Sequence, residues 1–140
     1  MLFRSAGGWL LRSADYVVEL QPPADGAGFP SPELLATWEI TAFQPRTRVR
    51  LRLSPDDIRE PQLELDGRRL DPQWIEGHLE VEVPTPGRAR LQLRGQPVVR
   101  QTQDDRQELA VAIPPVARST LTVSAPHLEQ IEWKIGRAHV

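Results

Sequence analysis

The chain has 140 residues, no cysteine, 14 prolines and a formal net charge of −2. Its length suits a single domain, and the absence of cysteine excludes a disulfide framework and thiolate metal sites. The mildly acidic balance argues against nucleic-acid binding, which selects basic surfaces. No apolar run approaches the roughly 18 residues of a membrane-spanning helix, so we expect no membrane insertion by this segment.

The two chain ends resemble the translation of a short-read sequencing adapter. MLFRS matches one adapter strand, and IGRAHV matches its reverse complement in the orientation that read-through would give. We therefore predict an internal fragment of a longer gene and exclude its ends from fold reasoning. The predicted divisions are adapter-derived residues 1–5 and 134–140, a strand of the same or a preceding domain in 6–21, a loop or linker in 22–32, and a β-sandwich domain in 33–133.

The first predicted strand is Ser13–Gln21, in which Tyr16, Val18 and Leu20 share one face. The GGW tripeptide before it is interpreted as the tail of a preceding element. The loop or linker that follows (PPADGAGFPSP) is rich in proline and glycine, which interrupt regular structure.

Two further strands are predicted before the middle of the chain. Glu33–Phe43 begins with residues that suit a helical turn, but its β-branched and aromatic residues favour a strand. Arg46–Leu53 alternates strictly between apolar and basic residues, which is typical of a strand with one buried face. Its inward residues are Val49, Leu51 and Leu53, and its outward residues are Arg48, Arg50 and Arg52.

The stretch Leu63–Leu93 is predicted to form an antiparallel meander. Asp66-Gly67 suits a two-residue type I′ turn, because both of its residues must adopt positive φ. That turn would place Leu63 opposite Leu70. A three-residue loop at Thr85-Pro86-Gly87 would pair the next two strands, with Val83 opposite Ala89, Val81 opposite Leu91 and Glu82 opposite Arg90.

The remaining segments also alternate. We predict strands at Pro97–Thr102, at Glu108–Ile113 with Leu109, Val111 and Ile113 buried, and at Thr120–Ser124 with Leu121 and Val123 buried. Another strand is expected near Ile131 and Trp133. Eight or nine short strands with little or no helix predict an all-β antiparallel sandwich, either Ig-like or jelly-roll-like.

The segments DGRRL, GHLEVEVPTPGRARLQLRG and ELAVAIPPVARSTLTVSAP resemble β-sandwich regions of large, uncharacterised bacterial cell-envelope proteins. In those regions a strand ending in Pro-Pro-Val precedes a turn of small residues and a Leu-x-Val strand. The resemblance covers Leu63 to Pro126 and rests on patterning. It implies an extracytoplasmic, multidomain parent in the periplasm or at the cell surface, and it transfers no catalytic residues.

Two features of the sequence are candidates for binding. The outward row Arg48, Arg50 and Arg52 could recognise an anionic partner such as a phosphate or an acidic glycan, although a solvated face paired with Glu64, Glu80 or Glu82 is the commoner situation. Trp74 could stack on a sugar ring, although packing against the core or a loop is more frequent for such a residue.

No catalytic or metal motif emerges. Asp56, Asp57, Asp66, Asp104 and Asp105 lack the spacing of a calcium loop, and carboxylates in turns usually stabilise the turn. His78 and His127 lie far apart and have no zinc-type spacing, and no nucleophile-elbow motif is present. We expect no catalytic residue, no bound metal and no cofactor.

Two functions remain open on these grounds. The favoured one is a non-catalytic structural or interaction module, whose partners are other domains of the parent chain or another envelope protein. The alternative is a carbohydrate-binding accessory domain of a secreted enzyme, with Trp74 as the stacking platform. Sandwich folds host many functions, so fold alone does not decide between them.

Overall fold

A computed structural model describes residues 3–4, 8–21, 31–101, 107–109 and 118–124; residues 3–4, 99–101 and 107–109 are described by their strand pairing alone. In these residues the only helical element is a 3₁₀ turn at Pro55–Asp57, capped by the Ser54 hydroxyl. No helix in the described part is long and apolar enough to cross a membrane. The strands are β1 (Phe3–Arg4), β2 (Trp9–Gln21), β3 (Ser31–Ala42), β4 (Thr47–Leu51), β5 (Ile58–Leu65), β6 (Arg68–Leu70), β7 (Gln73–Ile75), β8 (His78–Val83), β9 (Gly87–Pro97), β10 (Val99–Gln101), β11 (Gln107–Leu109) and β12 (Ser119–Ser124).

Most strands belong to two sheets. The large sheet has the order β1-β2-β3-β9-β5-β6, with β12 lying beside β2 in parallel. The small sheet has the order β4-β8-β7, and its pairs are antiparallel. β10 and β11 form a separate antiparallel ribbon.

The core lies between the inward faces of the two sheets. Val49, Leu79 and Val83 of the small sheet belong to the same buried cluster as Ile40 and Leu91 of the large sheet. Burying apolar side chains from two sheets against each other is the main stabilising contribution in such a layered structure. The predicted all-β sandwich is confirmed.

Alternation of side chains correctly predicts the buried face of several strands. In β4, Val49 and Leu51 are buried while Arg48 and Arg50 are exposed. The ambiguous segment after residue 32 is a strand, and Trp38 is buried within it. Successive side chains of a strand point to opposite faces, so the two-residue period carries this information directly.

The Asp66-Gly67 turn is confirmed. Asp66 and Gly67 have φ of 49° and 81°, and Leu63 lies opposite Leu70. The turn also contacts β9: the Asp66 amide donates to the Arg90 carbonyl at 2.9 Å, and the Arg90 amide donates to Asp66 Oδ1 at 2.8 Å. The turn thus closes one hairpin and connects it to the next strand of the large sheet.

The predicted hairpin between β8 and β9 is wrong. β8 lies between β4 and β7 in the small sheet, whereas β9 lies between β3 and β5 in the large sheet. Val81 and Leu91 are both buried as predicted, but in different sheets. Alternation determines which face of a strand is buried but not which strand lies beside it. Two strands on opposite sides of one core therefore show the same pattern as two strands of one hairpin. Pro84 and Pro86 also lack the N–H groups with which a hairpin could continue its ladder.

The charge pairing predicted for that hairpin changes accordingly. Arg90 lies opposite Glu39 of β3, and its Nη2 is 3.3 Å from Glu39 Oε1. Glu82 lies opposite Arg48 of β4. Each sheet therefore pairs its own basic and acidic residues.

The first strand begins earlier than predicted. Trp9, assigned from sequence to a preceding element, is the first residue of β2 and is buried in the core. Phe3 and Arg4, excluded as adapter-derived, pair with Leu11 and Leu10. Gln21 lies opposite Ser31, so the strands that flank the predicted loop or linker are neighbours in one sheet.

The predicted burial of Leu121 is also wrong, because its side chain is 39% exposed. It shares a face with Tyr16 of the neighbouring strand, but β12 lies at the margin of the large sheet. Val123 on the same face is partly buried against the core. The side chains of Leu109, Val111 and Ile113, and the predicted strand near Ile131 and Trp133, lie outside the described residues.

Candidate functional site

Of the arginine row predicted from the sequence, Arg48 and Arg50 lie on the outer face of the small sheet, and Arg52 follows directly after the end of β4 and is exposed. Arg48 and Arg50 of β4 stand opposite Glu82 and Glu80 of β8. Arg50 Nε is 3.0 Å from Glu80 Oε2, and Arg48 Nε is 3.9 Å from Glu80 Oε1. The arginine side chains are 75% and 53% exposed, whereas that of Glu80 is only 10% exposed. The largely buried Glu80 carboxylate therefore forms ion pairs with two exposed guanidinium groups.

Trp74 lies on the opposite face of the same sheet. It stands opposite Leu79, a fully buried residue, and packs partly buried against the core. As the middle residue of the edge strand β7, it packs against the core at the margin of the small sheet. The structure therefore does not bring Trp74 and the arginine row together, and these four predicted binding residues cannot form one site.

A small depression at one end of the small sheet brings Ser54, Asp57 and His78 together with Arg52. Its volume is about 240 Å³. The side-chain hydrogen bonds of these residues are local: the Ser54 hydroxyl accepts from the Asp56 amide, and His78 Nδ1 lies 3.0 Å from the Glu76 carbonyl oxygen. Among the described residues no hydrogen bond joins serine to histidine or histidine to aspartate.

A second depression lies on the outer face of the large sheet, with a volume of about 340 Å³. Glu19 and Glu33 stand directly opposite each other at its edge, and like charges in that position destabilise a sheet. Glu60 and Arg94 also line it. Sequence reasoning did not find this cluster, because its residues come from four strands whose neighbours the pattern does not specify.

The aspartates considered as calcium ligands are dispersed. Asp56 and Asp57 lie in the 3₁₀ turn, and Asp66 is bonded to β9 through its turn. Across the described ranges, no group of three or more His, Cys, Asp or Glu side chains is arranged to hold a metal ion. Asp104, Asp105 and His127 lie outside those ranges.

Among the described residues, Tyr16 has a clearly shifted pKa, and its surroundings are those of a core residue. Tyr16 is buried, its ring meets that of Trp38 edge-on, and its hydroxyl accepts a 3.0 Å hydrogen bond from Trp38 Nε1. Burial raises the pKa of Tyr16 from 10.0 to about 12, although the bond from Trp38 acts in the opposite direction. Among the described residues, Tyr16 makes its side-chain hydrogen bond and its ring contact with Trp38, so the pair contributes to packing.

Comparison with known proteins gives a likeness to solved structures. No family model matches the chain, and no curated protein matches it. The chain is similar to an M1 zinc metallopeptidase from Deinococcus radiodurans in complex with a Tyr-Ser-Ala substrate, with 22% sequence identity and a TM-score of 0.49. The alignment covers 73% of this chain and 24% of the peptidase chain. At this identity and TM-score the likeness says nothing about activity or substrate.

Proposed function

We propose that this chain is a non-catalytic β-sandwich module that acts as a structural or interaction unit within a longer protein. The observation that carries the proposal is that its chemistry-bearing side chains contribute to its own sheets. Glu80 forms ion pairs with Arg48 and Arg50, Glu39 forms an ion pair with Arg90, and Trp74 packs against the core. Groups engaged in this way stabilise the sandwich and are not preorganised for a reaction.

An extracytoplasmic location and a bacterial envelope parent are part of the proposal. Their support is the patterning of Leu63 to Pro126, which resembles β-sandwich regions of such proteins. Sequencing the source DNA beyond both ends of the insert tests this part. The proposal expects the reading frame to continue into an envelope protein, and a frame encoding a cytoplasmic enzyme would contradict it.

The carbohydrate-binding alternative is tested through Trp74. We expect the purified 140-residue chain to bind no glycan on an array, and Trp74→Ala to lower the free energy of unfolding by on the order of 2 kcal/mol. Trp74→Phe, which keeps a ring on the core, should recover most of that loss. Glycan binding that disappears in Trp74→Ala at unchanged stability would replace the structural proposal with the alternative.

A further inference from the structure

Among the described strands, β4 is paired on one side only. It pairs with β8, and within the part of the chain that the structure describes no strand lies beyond it. An edge strand directs every second N–H and C=O group away from its sheet, and these groups can accept another extended chain. β4 has five residues, whereas the opposite edge strand β7 has three and presents no row of like charges. The β4 edge is therefore the better template of the two.

The charge along this edge is unbalanced. Arg48, Arg50 and Arg52 are exposed at alternate positions, and Glu80 is the one carboxylate within ion-pair distance of the row among the described residues. Its oxygens approach only Arg48 and Arg50. A strand added beyond β4 would place its own side chains directly opposite the arginines on the solvent face.

The paired side of β4 demonstrates which chemistry the strand accepts. β8 has glutamates at alternate positions, with Glu82 opposite Arg48 and Glu80 opposite Arg50, and it directs Val81 to the core. A second copy of β4 does not suit the free side, because antiparallel pairing with matched faces sets arginine against arginine. A strand with acidic residues at alternate positions would pair its carboxylates with the arginines on the free side, as β8 does on the other side.

We propose that the free edge of β4 binds an extended segment of a partner protein, with acidic residues at alternate positions, as a fourth strand of the small sheet. This inference rests on the proposed interaction function and names the class of partner. Backbone hydrogen bonds would supply the pairing, and the arginine row would select the sequence and the register.

The test uses the full chain and a blocked peptide in which glutamate and valine alternate. We expect the peptide to bind in a salt-sensitive manner and to slow amide hydrogen exchange along β4 but not along β7. The same peptide with lysine in place of glutamate should not bind. A version N-methylated along one edge, with unchanged charge, should also fail, because it cannot form the strand ladder.

Variants distinguish binding at the β4 edge from non-specific attraction to positive charge. Arg48→Gln combined with Arg52→Gln should weaken binding on the order of tenfold, because two cross-strand ion pairs are lost. Arg88→Gln combined with Arg94→Gln removes the same charge from the exposed face of the large sheet and should leave affinity unchanged. Melting curves of both variants check that the fold is intact.

Three outcomes would overturn the inference. They are absence of peptide binding by the folded chain, equal binding of the N-methylated peptide, and equal weakening by both arginine pairs. None of these outcomes contradicts the non-catalytic module itself, whose test is the glycan array and the sequence of the parent gene. The two proposals can therefore fail separately.

Discussion

The large and small sheets are stabilised in different ways. In the large sheet the central strands β3 and β9 are each flanked by two long strands, and Trp38, Leu91 and Leu93 meet in a closely packed interior. In the small sheet the central strand β8 lies between a five-residue and a three-residue strand, and its outer face carries the arginine–glutamate pairs. The comparison indicates that the large sheet is stabilised mainly by the packing of its own long strands. The small sheet is stabilised mainly by burying its inner face against the large sheet.

Matched leucines test this difference most strongly. Leu91 in β9 and Leu79 in β8 are both fully buried on central strands. We expect Leu91→Ala to cost about 3–5 kcal/mol of unfolding free energy and Leu79→Ala nearer 2 kcal/mol, because the partly buried Trp74 beside Leu79 can move into the space. Urea unfolding measures both. A larger loss at Leu79 would contradict the ranking of the two sheets.

Gly95 tests how tightly the large sheet is packed. A Cβ at this position would lie 2.6 Å from Ile58 Cδ1 and Cγ1 and 3.1 Å from the Arg59 carbonyl oxygen. Since Ile58 is buried, we expect Gly95→Ala to cost about 1–3 kcal/mol through overpacking.

The control is the same substitution in an Ile58→Ala background, where both clashing side-chain atoms are absent. There the added methyl group should cost much less, and a double-mutant cycle measures the coupling. If the two losses simply add, Ile58 is not what requires glycine at this position.

Tyr16 gives the large sheet a predicted sensitivity to alkali. Its pKa is about 12 in the folded chain and 10.0 without burial, so the neutral phenol is the form that the fold prefers. Below pH 10 this stabilisation is complete. It is lost as the pH rises from 10 through 12, and the total loss of unfolding free energy is about 3 kcal/mol.

The alkaline effect can be isolated, because Tyr16 is the only tyrosine and Lys134 the only lysine of the chain. Unfolding free energies measured across this pH range should fall in the parent chain and remain nearly flat in Tyr16→Phe. An equal alkaline loss in both proteins would show that another group is responsible.

The smallest effect is expected at the ion pair of the small sheet. Glu80→Gln should cost up to about 1 kcal/mol, and less in high salt, because its arginine partners are exposed. Glu39→Gln, which affects the more exposed Arg90 pair of the large sheet, should cost less. A larger effect at Glu39 would contradict the greater dependence of the small sheet on its charges.

The sequence predicted what depends on local chemistry. The period of two identified the buried Val49 and Leu51, and Asp66-Gly67 specified both its turn and the register of Leu63 against Leu70. These features depend on residues close in sequence, where side-chain alternation and positive φ leave few alternatives.

Prediction failed where the outcome depends on distant strands. Val83 and Ala89 point into one core from two sheets, and no local signal distinguishes that arrangement from a hairpin. Leu121 alternates like a buried residue but is exposed, because β12 lies at the margin of the large sheet. The sequence also could not show that its two separate binding candidates, the arginine row and Trp74, lie on opposite faces of the small sheet, because that depends on strand register.

Engineered cysteine pairs test the two-sheet arrangement most directly, because the chain contains no cysteine of its own. Residues directly opposite in antiparallel strands have Cα atoms about 4.5–5.5 Å apart, within the span of a disulfide. Arg48→Cys with Glu82→Cys should therefore form an intramolecular disulfide under mild oxidation, since these positions face each other across β4 and β8. Glu82→Cys with Arg90→Cys should stay reduced, because β8 and β9 lie in different sheets. Rapid closure of the second pair, with none in the first, would show that β8 and β9 form a hairpin and would contradict the division into two sheets.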